Sequence, residues 1–471
     1  MTVALSRHAP ERILEDIVSF AEDHLVPLVD EGLGNSAYLV DLGDGRALAV
    51  DVPRDLRAAY AAARRRRLTI AYAADTHLHA DFLSGAVQLG RDEDATVLVS
   101  AAGRRAFPHR GLADGDEVDL GGLRLRALAT PGHTDEHLSF LLLDGSRELG
   151  VFTGGSLIVN SAARTDLLGA DRTEELARAQ FHSLRRLARL PEATAVWPTH
   201  GAGSFCSAPA GAGRTTTIGE QKQANPLLGA RDEDTFVRLL LGSLGSYPHY
   251  FDRLAERNRR GPGVLTGTPP LPGLDTGQVR ALLAEGGQVV DVRPVADFAA
   301  GHIPGALSIP MSGRFAVWLG WLLPDTTPLA FVTGENQDLD EIVWQAYTIG
   351  YERLAGHLSS GMPAWAAAGN ATATTRLVTP EAAHDGPYLD VRQEAEYAGG
   401  HVPGALNLEL GRLTEHAADA PAGVLVACGH GERAMTAASL LERAGRTDVT
   451  VLRGTPAEYA AAHGKRLEEA G

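Results

Sequence analysis

Along the first half of the chain, short apolar runs alternate with polar turns. Ala47–Val52, Leu68–Ala73, Thr96–Ser100, Leu123–Ala129 and Leu138–Leu143 are each five to seven residues long and end at turn formers. Runs of that length and flank predict strands. Arg172–Ala188 predicts a helix. Strands interleaved with a few helices imply a sheet sandwich covered by helices, spanning 1–257. The run Phe315–Leu323 is the most apolar later stretch, but it stops at Pro324 and is too short to cross a bilayer.

The second half carries an internal repeat. Val290-Asp-Val-Arg293 followed by Gly301-His-Ile-Pro-Gly-Ala306 returns 99 residues later as Leu389-Asp-Val-Arg392 and Gly400-His-Val-Pro-Gly-Ala405. A period that long marks a duplicated domain and not a solenoid unit. Each copy reads as strand, helix, turn and strand, ending in a further strand and helix, so an α/β fold with a mostly parallel sheet is expected. The Gly- and Pro-rich stretch 258–272 is expected to be a linker, with the copies at 273–372 and 373–471.

Composition narrows the function classes. The 471 residues hold 43 Lys and Arg against 59 Asp and Glu, a net charge of −16. That balance argues against nucleic acid and anionic membranes as partners. Residues 1–20 mix charge among apolar positions and show no signal-peptide core. Two cysteines, Cys206 and Cys428, make no disulfide framework, so a cytoplasmic location is expected. A homo-oligomer is compatible with all of this.

Three turns in the first region each deliver a histidine after an apolar strand: Thr76-His-Leu-His-Ala-Asp81, Pro131-Gly-His133-Thr and Pro198-Thr-His200-Gly. Imidazoles brought to one place by loops are suited to a metal. These turns resemble the metallo-β-lactamase fold superfamily. More narrowly, Thr76–Asp81, Arg164-Thr-Asp166, His200-Gly-Ala-Gly-Ser204 and Thr217-Ile-Gly-Glu220 look like the persulfide dioxygenases. The resemblance implies an αββα sandwich with one mononuclear metal at its edge, Fe(II) in that family. It also implies that Arg164 lies near the thiol carrier of the substrate.

The family's carboxylate ligand falls on Phe152-Thr-Gly-Gly155, where this chain has glycine, and Phe82 stands where dinuclear relatives have a further histidine. Glycine offers no side-chain ligand. Three arrangements remain: His79 completes a site with His77 and His133, suiting Fe(II) or Zn; a carboxylate such as Asp81 or Asp135 swings in; or the domain holds no metal. His200 is a less certain ligand of the same centre.

Val424–Ala427 reads as a buried strand leading into Cys428-Gly429-His430-Gly431-Glu432-Arg433 and then the helical stretch Ala434–Ala444. A thiol at a strand end, just before a helix N-terminus, faces backbone N–H groups that favour the thiolate, and Arg433 adds a cation. Gly429 and Gly431 permit the tight curl, with His430 and Glu432 completing the loop. This segment resembles a rhodanese domain, with Cys428 on the persulfide-carrying nucleophile. In the first copy Thr333 falls opposite Cys428 and Asp338 opposite Arg433, so that copy is expected to be silent in sulfur transfer.

The order of domains resembles persulfide dioxygenase–rhodanese fusions. That implies oxidation of a low-molecular-weight thiol persulfide at the metal and sulfane-sulfur transfer through Cys428, with sulfite or thiosulfate as partner. A sulfurtransferase with a metal-free first domain, a Zn-dependent thioester hydrolase and a persulfide-binding module without turnover are the alternatives.

Overall fold

The computed structural model describes residues 20–206 and 213–469. The stretch 1–20, expected above to hold no signal-peptide core, lies outside them, apart from Phe20 at its end. The chain divides into two compact units. One runs through Thr266 and includes the short segment Tyr347–Gly350; the other holds Gly267–Ala346 and Tyr351 onward.

The first unit is built on two six-stranded sheets. β1 (Leu25–Asp30), β2 (Asn35–Asp41), β3 (Arg46–Val50), β4 (Thr69–Ala74), β5 (Thr96–Ser100) and β6 (Arg110–Leu112) lie side by side in chain order. The second sheet runs β7 (Glu117–Asp119), β8 (Leu123–Ala129), β9 (Leu138–Asp144), β10 (Arg147–Gly154), β11 (Ala195–Pro198) and β12 (Thr216–Thr217), also in chain order. Strand alternation sorts the side chains into layers. Tyr38, Leu48, Val50 and Leu98 meet Phe140, Leu142, Phe152 and Trp197 between the sheets. Ala47, Ala49 and Val99 face outward onto the helices Arg57–Arg66 and Ala86–Asp92. On the other side Leu141, Leu143 and Val196 pack under Thr173–Leu187 and Glu233–Leu241. This is the expected αββα sandwich.

The predicted strands fall within two residues of the observed ones, the usual fraying of element ends. The linker reading needs adjustment. The helix Phe251–Arg260 runs three residues into it, because Leu254 and Asn258 are buried on that helix's inner face. The Gly/Pro stretch then lies along the first unit, where Arg54 donates to the Gly263 carbonyl and Gln88 exchanges two hydrogen bonds with Leu265.

The second unit contains two five-stranded sheets, parallel throughout. One has the order β13-β17-β16-β14-β15, from Gly273–Leu274, Gln288–Asp291, Leu307–Ser308, Leu329–Val332 and Leu354–Leu358 as β13 to β17. The other has the order β18-β22-β21-β19-β20, from Arg376–Val378, Tyr388–Asp390, Leu406–Asn407, Leu425–Ala427 and Thr450–Leu452 as β18 to β22. The repeated motif has the same structural task in both. Asp291 clamps Arg293, which donates to the Gly301 carbonyl, and Asp390 clamps Arg392, which donates to that of Gly400. Each clamp ties a strand end to the following His-x-Pro-Gly turn. The run Phe315–Leu322 is a buried helix, and no helix among the described residues is long and apolar enough to cross a membrane.

Candidate metal centre and cysteine loop

The histidine turns of the first unit leave the same edge of the sandwich, after β4, β8 and β11. His77, His133 and His200 come together there, each 0–1% exposed, with ligand atoms within 4.8 Å of one another. Their outer ring nitrogens are all engaged. His133 Nδ1–H donates to the Arg164 carbonyl at 2.7 Å. Thr76 Oγ1 donates to Asp51, so it accepts from His77 Nδ1–H at 2.8 Å. Asn35 uses its amide NH₂ on Asp81 at 2.6 Å, leaving its oxygen to accept from His200 Nδ1 at 3.0 Å.

Fixing the proton on Nδ1 three times turns three Nε2 lone pairs inward. His77 Nε2 and His200 Nε2 face each other at 3.3 Å, and His133 Nε2 is buried with no hydrogen-bond partner. Burial holds His133 and His200 down to about 3, and His77 well below its usual value, so all three rings are neutral at pH 7. Opposed lone pairs repel unless a cation lies between them. Tetrahedral zinc with N ligands separates its donors by about 3.3 Å. The residues present therefore fit a metal ion.

The grouping differs from the expected one. His79 is not in this cluster. Its ring points to Asp51, with Nε2 at 3.2 Å from Oδ1, and to Asp75 at 4.0 Å. Burial works against its charged form, but the Asp51 carboxylate outweighs that and raises its pKa. Phe82 stacks on the same ring at 4.2 Å. His200 takes the place that His79 was expected to fill. Asp81 lies beside His200 and Cys206 and accepts from Asn35. Asp135 is exposed and pairs with Arg172 at 2.9 Å, so it does not swing in. Burial pushes the Cys206 thiol well up.

Arg164 was expected to face the substrate's carrier. Its guanidinium is instead occupied: it grips Asp166 through Nε and Nη2 at 2.7 Å, donates to the carbonyls of Phe205 and Gly245, and stacks over Tyr247 at 4.3 Å. What it offers the centre is its own carbonyl, on His133.

Several supporting residues were not singled out from sequence. Asp51, in a left-handed conformation (φ 53°) just past β3, accepts from Thr76 N, Thr76 Oγ1 and Thr199 Oγ1. One buried carboxylate thus ties the residues preceding both His77 and His200. Gln180 accepts from His133 N at 2.8 Å. His137 stacks on His77 at 5.1 Å and accepts from Gly155 N at 3.1 Å. The local signal was a threonine before His77 and before His200; the partner across the sheets had none.

In the second unit Cys428 directly follows β21 and is 1% exposed. Gly431, at φ 100°, curls the chain so that its N–H donates to Cys428 Sγ at 3.1 Å. Only glycine adopts that φ without strain. The helix Glu432–Arg443 starts immediately after. His430 and Glu432 are exposed, while Gly429 is half-buried, and a side chain there would touch Arg433. Arg433 is held by Glu396 in a two-pronged pair at 2.6 and 2.8 Å. Sequence had placed Arg433 on the thiol; Glu396, which it did not single out, shares it.

The matching loop of the first copy is closed by its own side chain. Gln337 accepts from Gly334 N at 2.8 Å and donates to the Val292 carbonyl at 2.6 Å. Asp338 is exposed and Thr333 half-buried.

Comparison with known proteins agrees with these two architectures. Residues 30–200 match the metallo-beta-lactamase superfamily, and residues 275–368 and 378–462 each match the rhodanese-like domain. The human mitochondrial persulfide dioxygenase ETHE1 is 30% identical over 205 residues, covering 43% of this chain and 72% of that protein. A hydroxyacylglutathione hydrolase of Cereibacter sphaeroides is 33% identical over 169 residues, covering 35% of this chain and 62% of its own. A metallo-beta-lactamase of Staphylococcus aureus superposes with a TM-score of 0.64 at 29% identity, over 71% of this chain and 98% of that one. With its histidine centre, its αββα sandwich and the two parallel-sheet domains that follow in the chain, the protein belongs to the ETHE1 persulfide dioxygenase family of the metallo-β-lactamase superfamily, in a form fused to two rhodanese-like domains.

Proposed function

We propose that this chain is an enzyme of sulfur metabolism that carries sulfane sulfur on Cys428 and processes a low-molecular-weight thiol persulfide at a metal held by His77, His133 and His200. The observation that carries the reading is the Gly431 N–H on Cys428 Sγ at the start of a helix. A backbone donor and the positive end of a helix favour the thiolate over the thiol.

Cys428 Sγ attacks the outer sulfur of the persulfide R–S–SH. A new S–S bond forms to Cys428, the old one breaks, and its electron pair leaves on the carrier thiolate. The Gly431 amide then faces a Cys428 persulfide anion. Sulfite attacks the outer sulfur, and thiosulfate leaves while Sγ recovers its electron pair.

In the first unit the chain's own residues hold three neutral imidazoles in one tautomer. The Arg164 carbonyl, Thr76 and Asn35 take the outer protons, and Asp51 fixes two of the three turns. A metal bound there, Fe(II) favoured and Zn(II) compatible, would supply Lewis acidity toward a thiolate and, as iron, redox chemistry with O₂.

A second reading, a sulfurtransferase with a first domain inactive toward oxygen, is favoured by Gly155, which leaves the family's carboxylate position without a ligand. Oxygen uptake with glutathione or coenzyme A persulfide separates the two. It uses protein purified anaerobically and loaded with Fe(II), with Cys428→Ser alongside. Uptake that survives in Cys428→Ser supports the metal-centred reaction. No uptake, with transfer that depends on Cys428, leaves the sulfurtransferase alone.

A further inference from the structure

We propose that Glu136 is a positioning residue of the metal centre: it joins the turn that carries His77 to the turn that carries His133 and so sets the spacing of those two rings. The inference rests on the reading that His77, His133 and His200 hold a metal.

The three histidines come from two sheets. His77 follows β4 of the first sheet, while His133 and His200 follow β8 and β11 of the second. Three imidazoles serve one ion only if their turns are fixed to one another. Asp51 does this for His77 and His200, through Thr76 and Thr199. His133 is held by Gln180 and by the Arg164 carbonyl, which lie on neither of those turns.

Glu136 supplies the missing connection. It stands three residues past His133, and its Oε1 accepts from Leu78 N at 2.5 Å. Leu78 is the residue between His77 and His79. A carboxylate that accepts from an N–H makes a short, charge-assisted bond. On the other side of His77, Leu138 N donates to the Thr76 carbonyl at 2.9 Å. His77 is thus bracketed by two bonds, one on each chain neighbour, and both come from the segment that follows His133.

A carboxylate in this place has little to offer packing. Glu136 is 5% exposed, and the Arg105 guanidinium lies 4.0 Å from the same oxygen. The other oxygen of Glu136 and all three guanidinium nitrogens of Arg105 have no hydrogen-bond partner among the described residues. A buried ion pair without direct bonds is weak support for a fold, and apolar side chains of similar volume often serve stability as well or better. An apolar side chain could not accept from Leu78 N. Gly103 leaves room for the pair: a side chain there would come within 3.2 Å of Glu136 Cγ and 3.3 Å of Arg105 Nε.

The test titrates Co(II) into full-length protein against nitrilotriacetate as competitor, and records its visible absorption and the melting of the metal-free protein. Glu136→Ala removes the acceptor and should weaken Co(II) binding about tenfold or more, with an altered absorption. Glu136→Gln keeps an oxygen for Leu78 N and loses only the charge, so Co(II) affinity should stay within about threefold and the absorption should be unchanged. Both variants deprive Arg105 of its carboxylate and should melt lower. Adding Arg105→Gln to Glu136→Gln should recover part of that loss, which keeps folding and positioning apart. Equal Co(II) affinity in the alanine and glutamine variants would overturn the role of Glu136, as would lower melting with unchanged Co(II) affinity and absorption in both; in either case Co(II) bound by the unaltered protein and lost in His200→Ala leaves the metal centre standing. An unaltered protein that binds no Co(II), or a His200→Ala variant that binds it as tightly, overturns the reading on which the role rests, and the role with it.

Discussion

The ring of His133 occupies the space that a side chain on Gly155 would need: a Cβ built there lies well under 3 Å from His133 Cδ2 and Cγ. The position that carries the family's carboxylate ligand is thus closed from the inside. Gly155 N donates to His137 Nε2, and His137 stacks on His77. Glycine, His133 and His137 form one packed arrangement, and the loss of the carboxylate is built into it.

Restoring the carboxylate should therefore fail. Gly155→Asp forces a side chain into an occupied, close-packed site, which costs about 1–3 kcal/mol. The expected outcome is a lower melting temperature and no gain in bound metal, read by calorimetry and elemental analysis. Unchanged melting with more metal bound would mean that His133 moves aside and that its ring is not the obstacle.

The regrouping of His79 and His200 makes a paired prediction. His200→Ala removes one of three converging donors and should lower metal affinity by at least about tenfold with little change in the melting of the metal-free protein. His79→Ala should do the reverse. It leaves the buried Asp51 without its nearest positive partner, at a cost of several kcal/mol, about 3 or more. Metal content and metal-free melting measured on both variants decide it, and a His79→Ala protein that melts normally but binds no metal would restore His79 as a ligand.

Sequence carried the layers and the cysteine loop further than it carried the histidine grouping. Ala47–Val52 or Leu123–Ala129 announce strands because alternation is a local property of a sandwich strand. Cys428 announces itself because the strand, the glycines and the helix that shape its cradle are contiguous. His79 and His200 were harder to tell apart, since which imidazole joins His77 depends on Asp51 and Asn35, far along the chain in the first sheet. The surroundings of Arg164 were hidden for a related reason. Asp166 is two residues away, but the carbonyls of Phe205 and Gly245 that complete its cage are 41 and 81 residues distant.

The Arg433–Glu396 pair should show in the acid limb of stability. Burial alone would raise the Glu396 pKa, but the bond and charge of Arg433 outweigh it and hold it below the usual carboxylate range. A depressed folded value means that the pair's contribution is full above the unfolded pKa, about 4.3, and is lost as pH falls through the folded value. Glu396 is 43% exposed, so solvent screening keeps that contribution under about 1 kcal/mol. Glu396→Gln should melt slightly lower than the parent at pH 7, and the gap should close below about pH 4. A gap that stays constant across that range would mean that the pair is not ionic.

Cysteine alone should not make the first copy carry sulfur. A thiol at position 333 would still sit beside a loop whose interior holds the Gln337 side chain, bonded to Gly334 N and the Val292 carbonyl. The Gly334 amide, one residue past position 333 and the counterpart of that of Gly429, is already taken by a neutral acceptor, and Asp338 stands where the last domain has Arg433. Thr333→Cys in a Cys428→Ser background should therefore take up no sulfane sulfur from glutathione persulfide, read by intact-protein mass. Thr333→Cys with Gln337→Gly frees the amide and should give measurable, slow persulfidation. Full labelling of both variants would show that the Gln337 plug is not what silences the loop, and would put the whole difference on the missing thiol; labelling of neither would show that freeing the Gly334 amide is not enough.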